Sequence, residues 1–238
     1  MSQAKLRDFD WERIGLDLDK EGYAVLPGLL SPSQVISFLA SIDRSERSSG
    51  QFDGWQLGAG SAQRLAPPLP SPFDDLADEL YEHLALVSNR WQSTMNGSVA
   101  FPPRLSDLQA LLSLDGLKVP NAIFSRLGTG EQEALHQTAV GNHGFLLEVS
   151  LLLAQPGGDF TGGEFVMTEQ RPHMQSRPIV VPLNRGDAVI FATAQRPFRG
   201  SKGFYRVNMR HAISRVLSGQ RLGATIFFSG EGAADNDD

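Results

Sequence analysis

The first half of the chain carries its apolar residues at helical spacing. Between Phe73 and Thr94 they recur every three or four residues, and Ser31-Pro32 is a typical helix start, with an N-cap side chain before a proline at the first helical position. The predicted helices are Trp11–Lys20, a segment from Pro32 that carries Val35, Leu39 and Ile42, Phe73–Thr94 with Leu76, Leu80, Leu84, Val87 and Trp91 on one stripe, and Leu105–Leu114. A short strand is predicted at Tyr23–Leu26.

The segment Arg44–Pro72 lacks any such period. It is rich in Ser, Gly, Gln and Pro, and it is longer than an ordinary connection. We therefore predict a long loop that is either a lid or disordered. Its aromatic residues Phe52 and Trp55 either cap a pocket or pack within the loop.

From about Pro120 the pattern changes to short segments of β-branched and aromatic residues separated by Gly and Pro, which is typical of strands joined by turns. The predicted strands are Asn121–Leu127, Ala134–Thr138, Phe145–Ala154, Glu164–Thr168, Ile179–Val181, Asp187–Ala192, Tyr205–Ser214 and Gly223–Phe228. Helices followed by strands favour one α+β domain, an all-β jelly roll supported by helices. We divide it into mainly helical support (1–119), jelly-roll core (about 120–230) and an acidic tail (231–238).

Composition narrows the function classes. The net charge of −6 and the pI near 5.4 argue against a nucleic-acid partner. The absence of cysteine excludes disulfides, thiolate nucleophiles and Cys-ligated metals. No secretory leader or membrane span is visible, since runs such as Phe145–Ala154 are far shorter than the ~20 residues a span needs. We expect a cytoplasmic protein with no membrane partner.

Histidine is scarce, so any imidazole chemistry must use one of five side chains. They are His83, His136, His143, His173 and His211. We expect His83 on an exposed or half-buried helix face and His173 on a surface loop.

The second half resembles the iron(II)/2-oxoglutarate oxygenases of the double-stranded β-helix (distorted jelly-roll) fold, in particular their bacterial prolyl-hydroxylase-like branch. The motifs that carry the resemblance are ALHQT at Ala134–Thr138, DFTGGEFVMTEQRPHMQSR at Asp159–Arg177, PLNRGDAVIF at Pro182–Phe191 and RPFRGSKGFYRVNMRHAISRV at Arg196–Val216. It extends from about Ile123 to Phe228, and Gly22–Gln34 also matches the way these proteins begin.

The resemblance implies a facial triad that holds Fe(II), made of His-x-Asp on one strand and a second His on a later strand. It also implies an Arg about ten residues after the second His, which binds the distal carboxylate of 2-oxoglutarate. His136 stands at the first ligand position, but Thr138 stands where the carboxylate belongs. We place the second His position just before Arg-Pro, where the chain has Gln195. With His136 as the only surviving ligand, we expect no metal and no cofactor.

Other residues of this pattern are candidate substrate contacts. Arg206 follows Gln195 by eleven residues and is the candidate carboxylate clamp, with Arg210 as the fallback. Strand alternation puts Arg206, Asn208 and Arg210 on one face, which either points inward as an anion site or outward to solvent. Thr138 and Gln195 either contact substrate in the emptied pocket or reflect drift.

Among the five histidines, His136 is the candidate catalytic base. The alternative is that it is a structural relic of the lost metal site. A rebuilt metal site with His143 and Glu148 is disfavoured, because an odd spacing on a regular strand places the two side chains on opposite faces.

Three functions compete. The first is a metal-independent enzyme in which His136 performs acid/base chemistry on a small carboxylate or amino-acid-like metabolite. The second is a non-catalytic pseudo-oxygenase that binds a ligand or pairs with a second copy or an intact homologous oxygenase. The third is an active Fe(II)/2-oxoglutarate oxygenase, or a halogenase-like enzyme, with unusual ligation.

Overall fold

The structure is a computed structural model that describes residues 5–45, 58–65, 67–114, 116–117, 119–138, 144–201 and 203–229. After a 3₁₀ turn at Lys5–Asp8, the helices of these ranges are α1 (Trp11–Glu21), α2 (Pro32–Ser45), α3 (Phe73–Thr94) and α4 (Leu105–Ser113). The strands are β1 (Tyr23–Leu26), β2 (Gly58–Ala59), β3 (Ser61–Leu65), β4 (Asn121–Gly128), β5 (Gln132–His136), β6 (Leu147–Leu152), β7 (Phe160–Gly162), β8 (Phe165–Gln170), β9 (Arg177–Val181), β10 (Ala188–Ala192), β11 (Gln195–Gly200), β12 (Gly203–Ile213) and β13 (Val216–Phe227).

The strands form two antiparallel sheets. The larger has the order β1-β10-β6-β13-β4-β3, with β7 beside β13, and the smaller has the order β2-β5-β12-β8-β9, with β11 beside β12. The two sheets pack face to face, as the ring of Phe165 on β8 lies 5.1 Å from that of Phe191 on β10. This is the predicted jelly roll with an all-β core and flanking helices.

The helices cover the outer face of the larger sheet. Phe38 of α2 stacks on Phe73 of α3 and meets Phe124 of β4 edge-on. Tyr81 of α3 packs on Phe145 and Phe228, and its hydroxyl donates to Pro102 O at 2.8 Å. The apolar stripe predicted on α3 is buried along its whole length. Since both faces of the larger sheet are covered, β6 is buried at all six positions.

A buried ion pair joins α1 to the smaller sheet. Arg196 of β11 is fully buried and pairs with the equally buried Glu169 of β8. Its guanidinium also donates to the carbonyls of Asp19 (2.9 Å) and Lys20 (3.0 Å) in the last turn of α1. These carbonyls carry the negative end of the helix dipole, so they help to compensate the buried cation.

Most predicted elements are confirmed, but the loop over 44–72 is partly wrong. That segment contains β2 and β3, which extend the two sheets, while Phe52 and Trp55 fall outside the described residues. The pattern also missed β7 and β11. β7 is only three residues long, which is too short for a clear pattern. β11 (QRPFRG) contains a proline and charged residues, which it tolerates because β12 is its one neighbouring strand in the described part of the chain.

Two further expectations concern exposure and membranes. His83 is half-buried and stacks on Trp11 with ring centroids 3.9 Å apart, and His173 is exposed, as predicted. Across the described ranges, no helix has both the length and the apolar character that crossing a membrane would require.

We predict that Glu169→Gln destabilises the fold by about 3–5 kcal/mol, because it leaves Arg196 as an uncompensated buried charge. The matched control is Glu21→Gln, which removes the partner of Arg177 in an ion pair at the surface (2.6 Å, 30% and 49% exposed) and is expected to lose less than about 1 kcal/mol. Urea unfolding of the two variants measures both values, and equal losses would contradict the assignment of Arg196 as the clamp between α1 and the sheet.

Candidate functional site

Three side chains with metal-ligating atoms meet between the sheets. They are Glu133 and His136 on β5 and His211 on β12, and one ligand atom of each lies within 4.8 Å of the others. His136 and His211 are cross-strand partners, with ring centroids 4.2 Å apart. The register of β5 on β12 therefore brings two of the five histidines together.

A β-bulge brings Glu133 to the same face as His136. His211 pairs with His136 and Ile213 pairs with Glu133, so three steps on β5 oppose two on β12. On a regular strand, residues three apart would face opposite sides. The extra residue leaves two consecutive residues, Ala134 and Leu135, on the exposed side, while Glu133 and His136 are both partly buried.

His136 is oriented by its own strand. Its Nδ1 lies 2.8 Å from Ala134 O, which assigns the proton to Nδ1 because a carbonyl can only accept. Its Nε2 then carries a lone pair and lies 3.7 Å from Glu133 Oε1, with the two side chains 11% and 18% exposed. Metal-binding histidines commonly donate their second ring N–H to a carbonyl in this way.

His211 lies deeper, against aromatic rings. It is 5% exposed and contacts Phe191, whose ring centroid lies 4.6 Å away. Its Nδ1 is buried and has no hydrogen-bond partner within the described residues. Burial lowers the pKa of His211 well below its usual value, and the neighbouring His136 lowers it further. The imidazole is therefore neutral, the form in which histidine binds metals.

A buried arginine lies next to this cluster. Arg221 of β13 is 2% exposed, and its Nε donates to Gly163 O at 2.9 Å. Burial lowers its pKa to about 10, opposed by the charge of Glu133. Burial in turn raises the pKa of Glu133, while His136 and Arg221 oppose that change. Glu133 thus interacts electrostatically with both His136 and Arg221.

Two glycines and a cavity make room for Arg221. A Cβ at Gly223 would lie 2.8 Å from Nη1, and a Cβ at Gly163 would lie 3.0 Å from Cδ. A cavity of about 360 Å³ reaches the same side chain. Its apolar lining includes Leu152, Phe160, Phe165, Val181 and Leu183. Because Nε is the one guanidinium atom with a hydrogen bond to the described residues, Nη1 and Nη2 are available to an anion.

The donor set suits a divalent transition metal. Two imidazoles and one carboxylate are the ligand types that bind non-haem Fe(II) while leaving positions open for other ligands. Three observations are consistent with such an ion. The imidazole of His211 is neutral and its buried Nδ1 has no partner among the described residues. The Nδ1 of His136 is anchored on Ala134 O, which leaves its Nε2 to bind the metal. Arg221 follows His211 by ten residues, the spacing expected between the second histidine and the carboxylate clamp.

Three of the substrate contacts predicted from the sequence lie on β12, on the side opposite His211. The exposed face of β12 carries Arg206, Asn208 and Arg210, and Arg206 donates to Met95 O at 2.8 Å. Of the two orientations predicted for this face, the structure has the outward one, with Val207, Met209 and His211 on the buried side.

Thr138 and Gln195 are half-buried. The amide of Thr138 donates to Thr193 O at 3.3 Å, and Gln195 Nε2 donates to Asn208 Oδ1 at 3.1 Å. Their roles in substrate binding, with those of Asn208 and Arg210, stay predictions. His143 lies outside the described residues, and Glu148 is buried in β6.

Comparison with known proteins places this site in a family context. A family model named Oxygenase-NA, described as an oxygenase catalysing oxidative methylation of damaged DNA, matches residues 60–230. Two uncharacterized proteins of Mycobacterium tuberculosis, from strains CDC 1551 / Oshkosh and H37Rv, are each 34% identical over 161 residues, which is 68% of this chain and 69% of each relative.

Solved structures resemble the fold. A Pseudomonas putida prolyl-4-hydroxylase has a TM-score of 0.59 at 14% identity, covering 94% of this chain and 100% of its own. A prolyl 4-hydroxylase from Phytophthora capsici has a TM-score of 0.55 at 18% identity, covering 95% and 67%. A prolyl hydroxylase from Trichoplax adhaerens, in complex with a peptide fragment, has a TM-score of 0.55 at 11% identity, covering 94% and 89%.

The expectation that the protein uses no metal or cofactor is wrong. The Glu133–His136–His211 cluster and the match to an oxygenase family overturn it. The error came from placing the second histidine at position 195, beside the Arg-Pro of β11. His211 lies instead on the following strand, β12. The signal in the sequence that could have identified it is Arg221, which follows it by ten residues.

We predict that the metal-free protein loses stability as the pH falls below about 6.5, the ordinary pKa of histidine. The pKa of His211 is lowered in the folded state, so the unfolded chain takes up its proton first and acid favours unfolding. Above that pH both states are neutral at this residue and the effect vanishes. Urea unfolding at pH 7.5 and 5.5 in the presence of chelator measures it.

His211→Asn should lose less stability than the wild type over this pH interval. His173→Asn is the matched control, since His173 lies on an exposed turn. An unchanged pH dependence in His211→Asn would show that His211 does not carry the effect.

Proposed function

We propose, since the chain belongs to the Oxygenase-NA family, that it is an Fe(II)- and 2-oxoglutarate-dependent oxygenase. The observation that carries the proposal is the cross-strand pair of His136 and His211 beside an interior carboxylate and the buried Arg221. This arrangement combines ligands for a divalent metal with a clamp for an anionic co-substrate.

Each side chain of the pair has a definite role in this proposal. His136 offers Nε2 to the metal while Ala134 O holds its Nδ1–H. The imidazole of His211 is kept neutral by burial and is held by the ring of Phe191. When bound, the iron supplies oxygen activation coupled to the oxidative decarboxylation of 2-oxoglutarate to succinate.

Arg221 binds the distal carboxylate of 2-oxoglutarate in this proposal. Its Nε is fixed by Gly163 O, so the two free terminal nitrogens form a planar fork that matches a carboxylate. Binding of this carboxylate would also explain why an arginine is tolerated in the interior, because a buried guanidinium is costly until an anion pairs with it. Arg206, in contrast, already donates to a carbonyl at the surface.

A small carboxylate or amino-acid-like metabolite is the substrate we propose. The net charge of −6 supports it, because a protein that neutralises nucleic-acid phosphates usually presents an excess of Lys and Arg. The family description names damaged DNA, which makes an alkylated oligonucleotide the competing substrate in any test. A second copy or an intact homologous oxygenase as partner stays a prediction.

The proposal predicts succinate formation from 2-oxoglutarate that requires added Fe(II) and O₂ and stops with a chelator. His136→Ala and His211→Ala should each abolish it, and mass spectrometry of the succinate released measures the rate. Amino acids, small carboxylates and an alkylated single-stranded oligonucleotide are added in parallel, since the true substrate should stimulate release. A chlorinated product would favour the halogenase-like alternative.

Absence of turnover in every arm, with metal and 2-oxoglutarate both bound, would contradict the proposal. That outcome would support the pseudo-oxygenase alternative.

A separate prediction distinguishes the two arginines. Arg221→Gln should weaken 2-oxoglutarate binding about 10- to 100-fold, since charge-assisted hydrogen bonds of this kind contribute roughly 1.5–3 kcal/mol. Arg221→Lys keeps the charge but loses the planar fork, so its affinity should be intermediate. Calorimetric titration of the Co(II)-loaded protein with 2-oxoglutarate measures these affinities.

Arg206→Gln is the matched control and should bind 2-oxoglutarate as the wild type does. Loss of affinity in Arg206→Gln with no loss in Arg221→Gln would reverse the assignment. Circular dichroism of each variant establishes that the fold is intact.

A further inference from the structure

We infer that Glu133, three residues before His136, is the third protein ligand of the metal site and replaces the carboxylate missing at position 138. The inference rests on the proposed function, because it concerns a ligand of the same ion. In this chain, a Glu-x-x-His pair on a bulged strand would then take the place of a His-x-Asp pair on a regular strand.

The bulge in β5 is the first support. It turns Glu133 inward and does so at a cost, because Leu135 becomes 44% exposed on the outer side. An apolar side chain in solvent and an unpaired extra residue are unfavourable for a strand in themselves. Bulges near functional sites typically re-aim one side chain, and here that side chain is a carboxylate directed at two imidazoles.

The environment of the carboxylate is the second support. The Oε1 atom of Glu133 lies 3.7 Å from His136 Nε2, which is longer than a hydrogen bond. A partly buried carboxylate without close donors is costly unless a cation compensates it. A divalent ion bound by Glu133, His136 and His211 would remove that cost for all three groups.

The distances are compatible with one ion after small side-chain movements. Metal bonds to imidazole and carboxylate are about 2.0–2.2 Å long, so ligand atoms around one ion lie roughly 3 Å apart. The three atoms within 4.8 Å need to close by less than 2 Å, which rotation of the flexible glutamate can supply. Thr138 offers instead a neutral hydroxyl, which is a weak ligand for Fe(II).

The test is metal affinity, which does not depend on turnover. Protein freed of metal by a chelator is titrated with Co(II), and anaerobically with Fe(II), in the wild type, Glu133→Gln, Thr138→Asp and the double variant. We expect Glu133→Gln to weaken Co(II) binding at least 10-fold. Thr138→Asp should restore it in the double variant, since it supplies a carboxylate two residues after His136.

Glu131→Gln is the matched control, because Glu131 lies on the adjoining turn and accepts from the amide of Gly128 at 2.6 Å. It should bind Co(II) as the wild type does. The d–d absorption of bound Co(II) gives a second readout, which should change in Glu133→Gln if a ligand is lost and stay constant if Glu133 acts only as a nearby charge.

The two proposals fail differently. Wild-type affinity and an unchanged Co(II) spectrum in Glu133→Gln would overturn the inference while leaving the proposed function intact if succinate still forms. Loss of Co(II) binding in Glu133→Gln with rescue by Thr138→Asp would support the inference even if the wild type produced no succinate. A wild type that binds neither metal would overturn the inference.

Discussion

The candidate site depends on the register between β5 and β12. This pairing sets His136 opposite His211, and a shift by one residue would turn one of the two imidazoles to the outer face. The register is held from both sides, since β12 also pairs along β8 and extends into the hairpin with β11. The rings of Phe165 and Phe191 then fill the space behind His211. A small number of backbone hydrogen bonds thus brings the two candidate metal ligands together.

The interior is balanced by charge as well as by packing. Two of the arginines that the structure describes are buried, and the charge of each is compensated differently. Arg196 is satisfied within the protein by Glu169 and the last carbonyls of α1, so it serves the fold. Arg221 has one hydrogen bond to the described residues and a nearby Glu133, so its charge remains partly available. The first arginine fastens a helix to a sheet, and the second is suited to a ligand.

The fold could be predicted closely from the sequence where long-range pairing was not needed. The stripe of α3 is 22 residues long and periodic throughout, so both its ends were predicted correctly. Alternation along β12 predicted that Arg206, Asn208 and Arg210 share a face. It could not tell which face is the interior, because that is decided by the larger sheet packing across the barrel. The strands β7 and β11 are stabilised by their partners rather than by their own residues and left no clear pattern.

The site was harder to predict because it depends on a bulge. On a regular strand, Glu133 and His136 would lie on opposite faces because they are three residues apart. No residue between them indicates the bulge that brings them to one face. In the proposed enzyme, the inward Glu133 also makes the charges in the site cancel. The ion and Arg221 are together matched by Glu133 and the two carboxylates of 2-oxoglutarate. A further aspartate at position 138 would leave an excess negative charge in a buried site, where it is costly. Once the bulge has directed Glu133 inward, a neutral threonine at position 138 is therefore the more favourable residue.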